Sequence, residues 1–236
     1  MKKLNKKITI VTNVMLAVLF SVVCAVCFFT GGAAPIYGGN SLSAIYNGNR
    51  QNKNVSLMFN VYENAEVVED IIKTLDDFGA KATFFVGGCW ADDNVNTLKE
   101  IVAHGHEIAN HGYFHKDHKK LSLEQNRQEI ALTDTLVQAL CGVKPTLFAP
   151  PSGSFSQYTL EAAYELGHKV IMWSKDTIDW RDSDLSKIYN RATSNPENGD
   201  LILMHPKPHT LKVLPRIIEF YRDLGFNLVS VTENVT

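Results

Sequence analysis

The chain is 236 residues long, with 23 Lys+Arg against 25 Asp+Glu, a formal charge of −2, and 45% hydrophobic residues. That composition suits one globular core and excludes a disordered or collagen-like chain, while 4 Cys are too few for a disulfide scaffold. Lys2, Lys3, Lys6 and Lys7 are the only charges before residue 35, which leaves the remainder acidic, with 19 basic against 25 acidic residues. Nucleic acid is therefore excluded as a partner, because its phosphates need basic surface.

Residues 8–34 carry no charge, and Val14 to Phe29 is apolar apart from Ser21. About 20 helical residues cross a bilayer, so this stretch predicts one transmembrane helix. The lysines place 1–7 in the cytoplasm as a basic tail and everything after residue 34 outside the cell membrane. A cleaved secretory signal is the rival reading, with Gly32 and Ala34 at the cut, but Pro35 would hinder cleavage and a retained anchor is preferred. Both readings export the body. Cys24 and Cys27 lie inside the apolar run, so their spacing is not a redox motif. Cys89 and Cys141 either pair or remain two separate buried thiols, and the second is preferred. Residues 35–53, rich in Gly, Asn and Ser, read as a linker, with one domain over 54–236.

From Val55 onward short apolar runs alternate with helical spacing. The runs are 55–61, 82–86, 106–109, 146–149, 170–173, 201–204 and 227–231. Helices are expected over 65–78, 95–103, 122–140, 156–166, 185–193 and 211–224, with Gly79, Gly105, Gly142, Gly167 and Gly225 at their C-terminal ends. This alternation implies parallel strands with crossover helices, as an open doubly wound sheet or a small barrel. No glycine-rich phosphate loop follows the first strand. Both architectures gather functional groups just after the strands. Asn60 and Glu63, then His111 and His115, then Pro150 to Gly153, Asp176 with Asp179, and His205 all fall there.

His111-Gly-Tyr-Phe-His115 places two imidazoles four apart, which on a helical turn could chelate one divalent ion. His104 and His106 read as structural, and His118 as a solvated residue beside Lys119 and Lys120. The segment Trp173 to Trp180, holding Asp176 and Asp179, pairs with Leu201 to His205. A His at a strand end beside a carboxylate is the arrangement of a proton donor, with a capping Asp and a partly buried His as the plain alternative.

These segments together resemble a family. Val55-Ser-Leu-Met-Phe-Asn-Val-Tyr, Ala82-Thr-Phe-Phe-Val, Gly105 to His115, Phe148-Ala-Pro-Pro-Ser-Gly, Asp176 to Trp180 and Leu201 to His205 occur in the order and spacing of the NodB-type polysaccharide deacetylases, carbohydrate esterase family four. With its N-terminal anchor the chain is similar to sporulation- and cell-wall-associated members. The resemblance implies a distorted parallel (β/α) barrel and metal-assisted hydrolysis of the acetamide of N-acetylglucosamine units. A zinc or other divalent ion would be held by one Asp and two His, a second Asp steadied by an Arg would act as base, and a His held by an Asp would protonate the leaving amine.

Carried over residue by residue, the resemblance puts His111 and His115 at metal-ligand positions and His205 with Asp176 at the general-acid pair. It puts the Ser152 N–H at the oxyanion position and Trp180 and Leu203 around the acetyl group. The family's Asp-Asp-Gly, however, reads Asn60-Val61-Tyr62, so the base position is an amide and the third ligand an isopropyl group. The position of the steadying Arg is Ala149. Asn cannot take a proton at neutral pH and Val cannot bind metal. Glu63, Asp117 or His118 are candidate substitutes for the third ligand. The expected function is de-N-acetylation of peptidoglycan or a chitin-like glycan, with reduced activity. The alternative is an inactive carbohydrate- or partner-binding module in cell-wall or spore-wall assembly.

Overall fold

The computed structural model describes residues 42–236. The expected membrane segment, 8–34, lies outside them, and among the described residues no helix is long and apolar enough to cross a membrane.

Strand β1 (Asn54–Val61) is buried at every position and pairs in parallel with β2 (Ala82–Val86) on one side and β7 (Asp200–Met204) on the other. Beyond β2 come β3 (Glu107–Asn110), β4 (Leu147–Phe148) and β5 (Lys169–Val170), and beyond β7 comes β6 (Lys175–Asp176). β8 (Asn227–Leu228) joins the start of β1. All pairings are parallel, and β5 and β6 end the order without pairing each other, so the curled sheet is an open barrel. Sequence periodicity anticipates β1, β2 and β7 within a residue. It misses β6, whose two residues carry no apolar signal, and gives 227–231 as one strand where the chain turns at Val229 into a short helix.

Alternation along β1 sorts the core into two layers. Val55, Leu57, Phe59 and Val61 belong to the cluster between sheet and helices, while Met58 belongs to the barrel interior with Phe85, Ala109, Ala149 and Leu203. The outer layer is built by α1 (Ala65–Asp77), α2 (Gly88–Asp93), α3 (Val95–Ala103), α4 (Leu123–Cys141), α5 (Gln157–Glu165), α6 (Leu185–Thr193) and α7 (Pro208–Asp223), with α8 (Val231–Asn234) closing the chain. Helix α4 starts where its sequence says: the Ser122 hydroxyl accepts from Gln125 N and the Gln125 side chain accepts from Ser122 N. It stops at Gly142, φ 68°, and the other four expected cap glycines also adopt positive φ.

The expected linker is not free from residue 42 on. Ile45 N–H donates to Val170 O, Met172 N–H to Ile45 O, and Gly48 N–H to Gly199 O, so this segment is strapped to the domain. Cys89 and Cys141 are both free thiols, as preferred, although neither is buried: Cys89 is exposed and Cys141 half-buried.

His106 is structural, as expected. It opens β3, buried, with its ring 5.5 Å from Phe84 and neither nitrogen hydrogen-bonded. Burial pushes it down to about 4, so the folded chain holds it neutral while the unfolded chain takes up a proton below about pH 6.5. Folding stability is therefore lost as pH falls from 6.5 toward 4, by up to about 1 kcal/mol per pH unit from this residue. Denaturant unfolding at pH 7 and pH 5 should show a smaller loss in His106→Leu than in the parent; equal losses would contradict the assignment. A second expectation concerns Phe59, fully buried and stacked on Phe84 at 5.2 Å. Phe59→Ala should lower stability by about 3–5 kcal/mol in urea titration, and a loss under about 1 kcal/mol would mean that the two-layer core is wrong.

Candidate active site

The carboxyl ends of the strands surround one cleft of about 290 Å³, lined by Asn60, Tyr62, His111, His115, Ser152, Trp173, Asp176, Trp180, Leu203 and His205. The structure thus brings His111, His115, His205 and Asp176 together with Asn60, Ser152, Trp180 and Leu203, leaves out the candidate third ligands Glu63, Asp117 and His118, and adds Tyr62 and Trp173.

His111 follows β3 directly, and its N–H continues the ladder to Val86 O. Its ring Nδ1 sits 2.7 Å from Ala149 O, an acceptor only, so Nδ1 carries the proton and Nε2 is left as the bare lone pair. Complete burial, reinforced by the neighbouring His115, pushes His111 well below its ordinary value and keeps it neutral. His115 is also lowered by burial. The two histidines are not on a helical turn as expected. Residues 111–117 form a loop, with His115 in the left-handed region at φ 53°, yet the rings still come within 5.1 Å of each other.

That loop is tied down by α4. The buried Glu129 carboxylate accepts from the backbone N–H of Tyr113 (3.1 Å) and Phe114 (2.8 Å) and pairs with Lys116 at 2.8 Å. Asn110 accepts from Gly112 N and donates to Ile130 O and to Asp134. Gly112 is required at φ 73°, because a Cβ there would stand 2.9 Å from His118 Nε2.

The proton-donor pair differs from expectation. The partner of His205 is Asp179, not Asp176: Nδ1 lies 2.7 Å from Asp179 Oδ1, and His205 N–H donates to Oδ2 at 2.8 Å. Thr210 donates to the same Oδ2 at 2.6 Å, and His209 Nε2 bonds the Asp179 carbonyl. Burial alone would raise the Asp179 carboxyl, but His205 and Thr210 hold it below the ordinary value. Asp176 lines the cleft and spends one oxygen on Ile178 N–H at 2.8 Å. The physical reason is that β6 ends at Asp176, and the following turn carries Asp179 inward beneath His205. Motif order alone cannot separate two Asp residues three apart.

The donor set does not complete a metal site. Val61 is fully buried in the helix-facing cluster, pointing away from the histidines. Glu63 is held by Lys207. Asp117 is held by Ser154 and by Lys120 at 2.9 Å. His118, expected to be solvated, is fully buried with Nδ1 on Asn126 at 2.7 Å, and it does not line the cleft. Among the described residues no three His, Cys, Asp or Glu side chains gather to hold an ion. Asn60 is buried with its Oδ1 unpartnered, and Ala149 packs inside the barrel, so the base position has neither acidity nor a steadying cation.

Ser152 lines the cleft in the left-handed region at φ 56°, Leu203 forms its floor, and Trp180 is 50% exposed at its rim with Arg181 stacked 5.2 Å from its ring centre. Tyr62 is the residue that sequence reasoning undervalued. Its signal was the alternation at the end of β1, which sets positions 60 and 62 on one face.

Comparisons with known proteins agree with this arrangement. The polysaccharide deacetylase family model matches residues 47–171. A Bacillus subtilis protein, YlxY, is 39% identical over 80% of this chain and 59% of its own length. A peptidoglycan-N-acetylglucosamine deacetylase of Bacillus cereus is 31% identical over 75% of this chain and 66% of its own length. The chain thus spans roughly three-fifths to two-thirds of these two relatives. A crystal structure of a CE4 family pseudoenzyme from Bacillus anthracis superposes with a TM-score of 0.81 at 32% identity, covering 84% of this chain and 70% of that one.

Replacement of each Asp distinguishes the pairing. Asp179→Ala leaves buried donors on His205 and Thr210 without an acceptor and should cost about 3 kcal/mol of stability, whereas Asp176→Ala should cost under about 1 kcal/mol. Thermal unfolding of the two variants checks it, and the reverse order would restore Asp176 as the partner.

Proposed function

We infer a function from two facts taken together: the chain belongs to the polysaccharide deacetylase family, and its cleft pairs His111 with His115 and His205 with Asp179 while offering an amide at Asn60. The reading is a glycan-binding module. It takes N-acetylglucosamine-containing wall polysaccharide into the cleft and does not turn it over. The observation that carries this is the incomplete donor set: two imidazoles, no third ligand among the described residues, and a base position that cannot accept a proton. Relatives named as peptidoglycan deacetylases support the polysaccharide ligand, and the Bacillus anthracis neighbour, described as a pseudoenzyme, supports retention of the fold without turnover.

In this reading Trp180 and Trp173 give the sugar apolar faces, Leu203 meets the acetyl methyl, and the Ser152 N–H binds the acetyl oxygen. His205 presents Nε2, held by Asp179, as a polar contact to the sugar. Residues 8–34 hold the module at the outer face of the cell membrane, against the wall it recognises. A slow metal-dependent deacetylase, with zinc on His111 and His115, is the alternative, and one assay separates the two. The full chain, incubated with chito-oligosaccharide and with peptidoglycan in the presence of zinc, should release no acetate above a heat-denatured control while still binding the oligosaccharide. Trp180→Ala should weaken that binding about five- to tenfold. Acetate release that disappears in His205→Ala would return the enzyme reading.

A further inference from the structure

We propose that Tyr62 is a built-in occupant of the cleft, which shuts a latent two-histidine site for a divalent cation and presents its ring to the sugar instead. The His111 and His115 ring centres stand 5.1 Å apart at 64°. Two imidazoles sharing one tetrahedral ion, with N–metal bonds of ~2.1 Å, place their ring centres about 5 Å apart. His111 already has Nδ1 committed to Ala149 O and Nε2 free. Half of an ion site is therefore preformed, at a position where the described residues supply no third ligand.

An ion held by two protein ligands reaches four-coordination only by keeping about two waters. Those waters need the space beside the imidazoles, and the Tyr62 ring borders that space. Its ring centre is 4.4 Å from His115, 6.3 Å from His111 and 6.2 Å from His205, so one phenol borders all three. The ring is anchored from below by its place directly after the end of β1, two residues beyond Asn60 on the same cleft. It is anchored from the side by the pairing of Glu63, the next residue, with Lys207, which follows His205 by two. With 36% of the residue exposed, the outer part of the ring still faces incoming ligand, on the same cleft as Trp180. The sugar-facing half of the proposal rests on the glycan-binding reading; the cation half does not.

The test is zinc titration by calorimetry on the full chain, alongside chito-oligosaccharide binding. Tyr62→Ala should bind zinc at least tenfold more tightly than the parent, Tyr62→Phe should match the parent, and adding His111→Ala to Tyr62→Ala should abolish the gain. Oligosaccharide affinity should fall several-fold in Tyr62→Ala and stay at the parent level in Tyr62→Phe. Equal zinc affinity in Tyr62→Ala and the parent, or a gain that survives His111→Ala, overturns the cation half. Unchanged sugar affinity in Tyr62→Ala overturns the sugar half. Tyr62→Ser, which also removes the ring and vacates its space, serves the same comparison if the alanine variant does not fold. Acetate release by the parent would sink the glycan-binding reading and leave the zinc comparison standing.

Discussion

Strand β1 runs between β2 and β7 with all eight of its residues buried, and its side chains must alternate between the helix layer and the barrel interior. The last two turns of that alternation decide the character of the site. Met58 fills the barrel interior, Asn60 and Tyr62 face the cleft above it, and Phe59 and Val61 face the helices. A one-residue slip would exchange these sets and bury an amide and a phenol among aliphatic side chains, so the register is strongly held. Val61 cannot be read simply as a ligand that lost its donor atom. It is part of the packing that holds β1, and an aspartate there would place an unpaired carboxylate in the core, at a penalty of several kcal/mol, unless the strand end moved.

The losses around the cleft are mutually consistent. An amide at position 60 has no use for a cation at position 149, and Ala149 instead packs with Met58, Phe85 and Ala109 inside the barrel. An arginine buried there without a carboxylate partner would be an uncompensated charge. The retained half is held with equal economy of contacts: His205, Thr210 and Asp179 satisfy one another, and Glu129 fixes the loop that carries His111 and His115. Both clusters would keep their geometry whether or not any reaction occurs, because each satisfies buried polar groups of the fold.

Much of this was legible in the sequence. The strand–helix alternation located the principal strands and helices, cap glycines marked the helix ends, and the ordered motifs named the cleft residues. What was not legible follows from structure that leaves no periodic trace. β6 is two residues long, so nothing in the sequence says which of Asp176 and Asp179 reaches His205. His118 is followed by Lys119 and Lys120, and its burial comes from Asn126 and Thr159 on later helices, which accept from its ring and donate to its carbonyl. Tyr62 stands at a family glycine position, and only the approach of three imidazoles from two different strand ends, His111 and His115 after β3 and His205 after β7, shows what its ring does there.

The central claim is that the cleft engages an intact N-acetylated sugar without a metal-bound reaction centre. A crystal structure of the full chain grown with an N-acetylglucosamine oligomer and excess zinc tests it most directly. The account predicts a sugar with its acetamide uncleaved, lying against Tyr62 and Trp180, and no ion between His111 and His115. An ion within about 2.1 Å of both imidazoles, with acetate or the acetyl oxygen bound to it, would contradict the account.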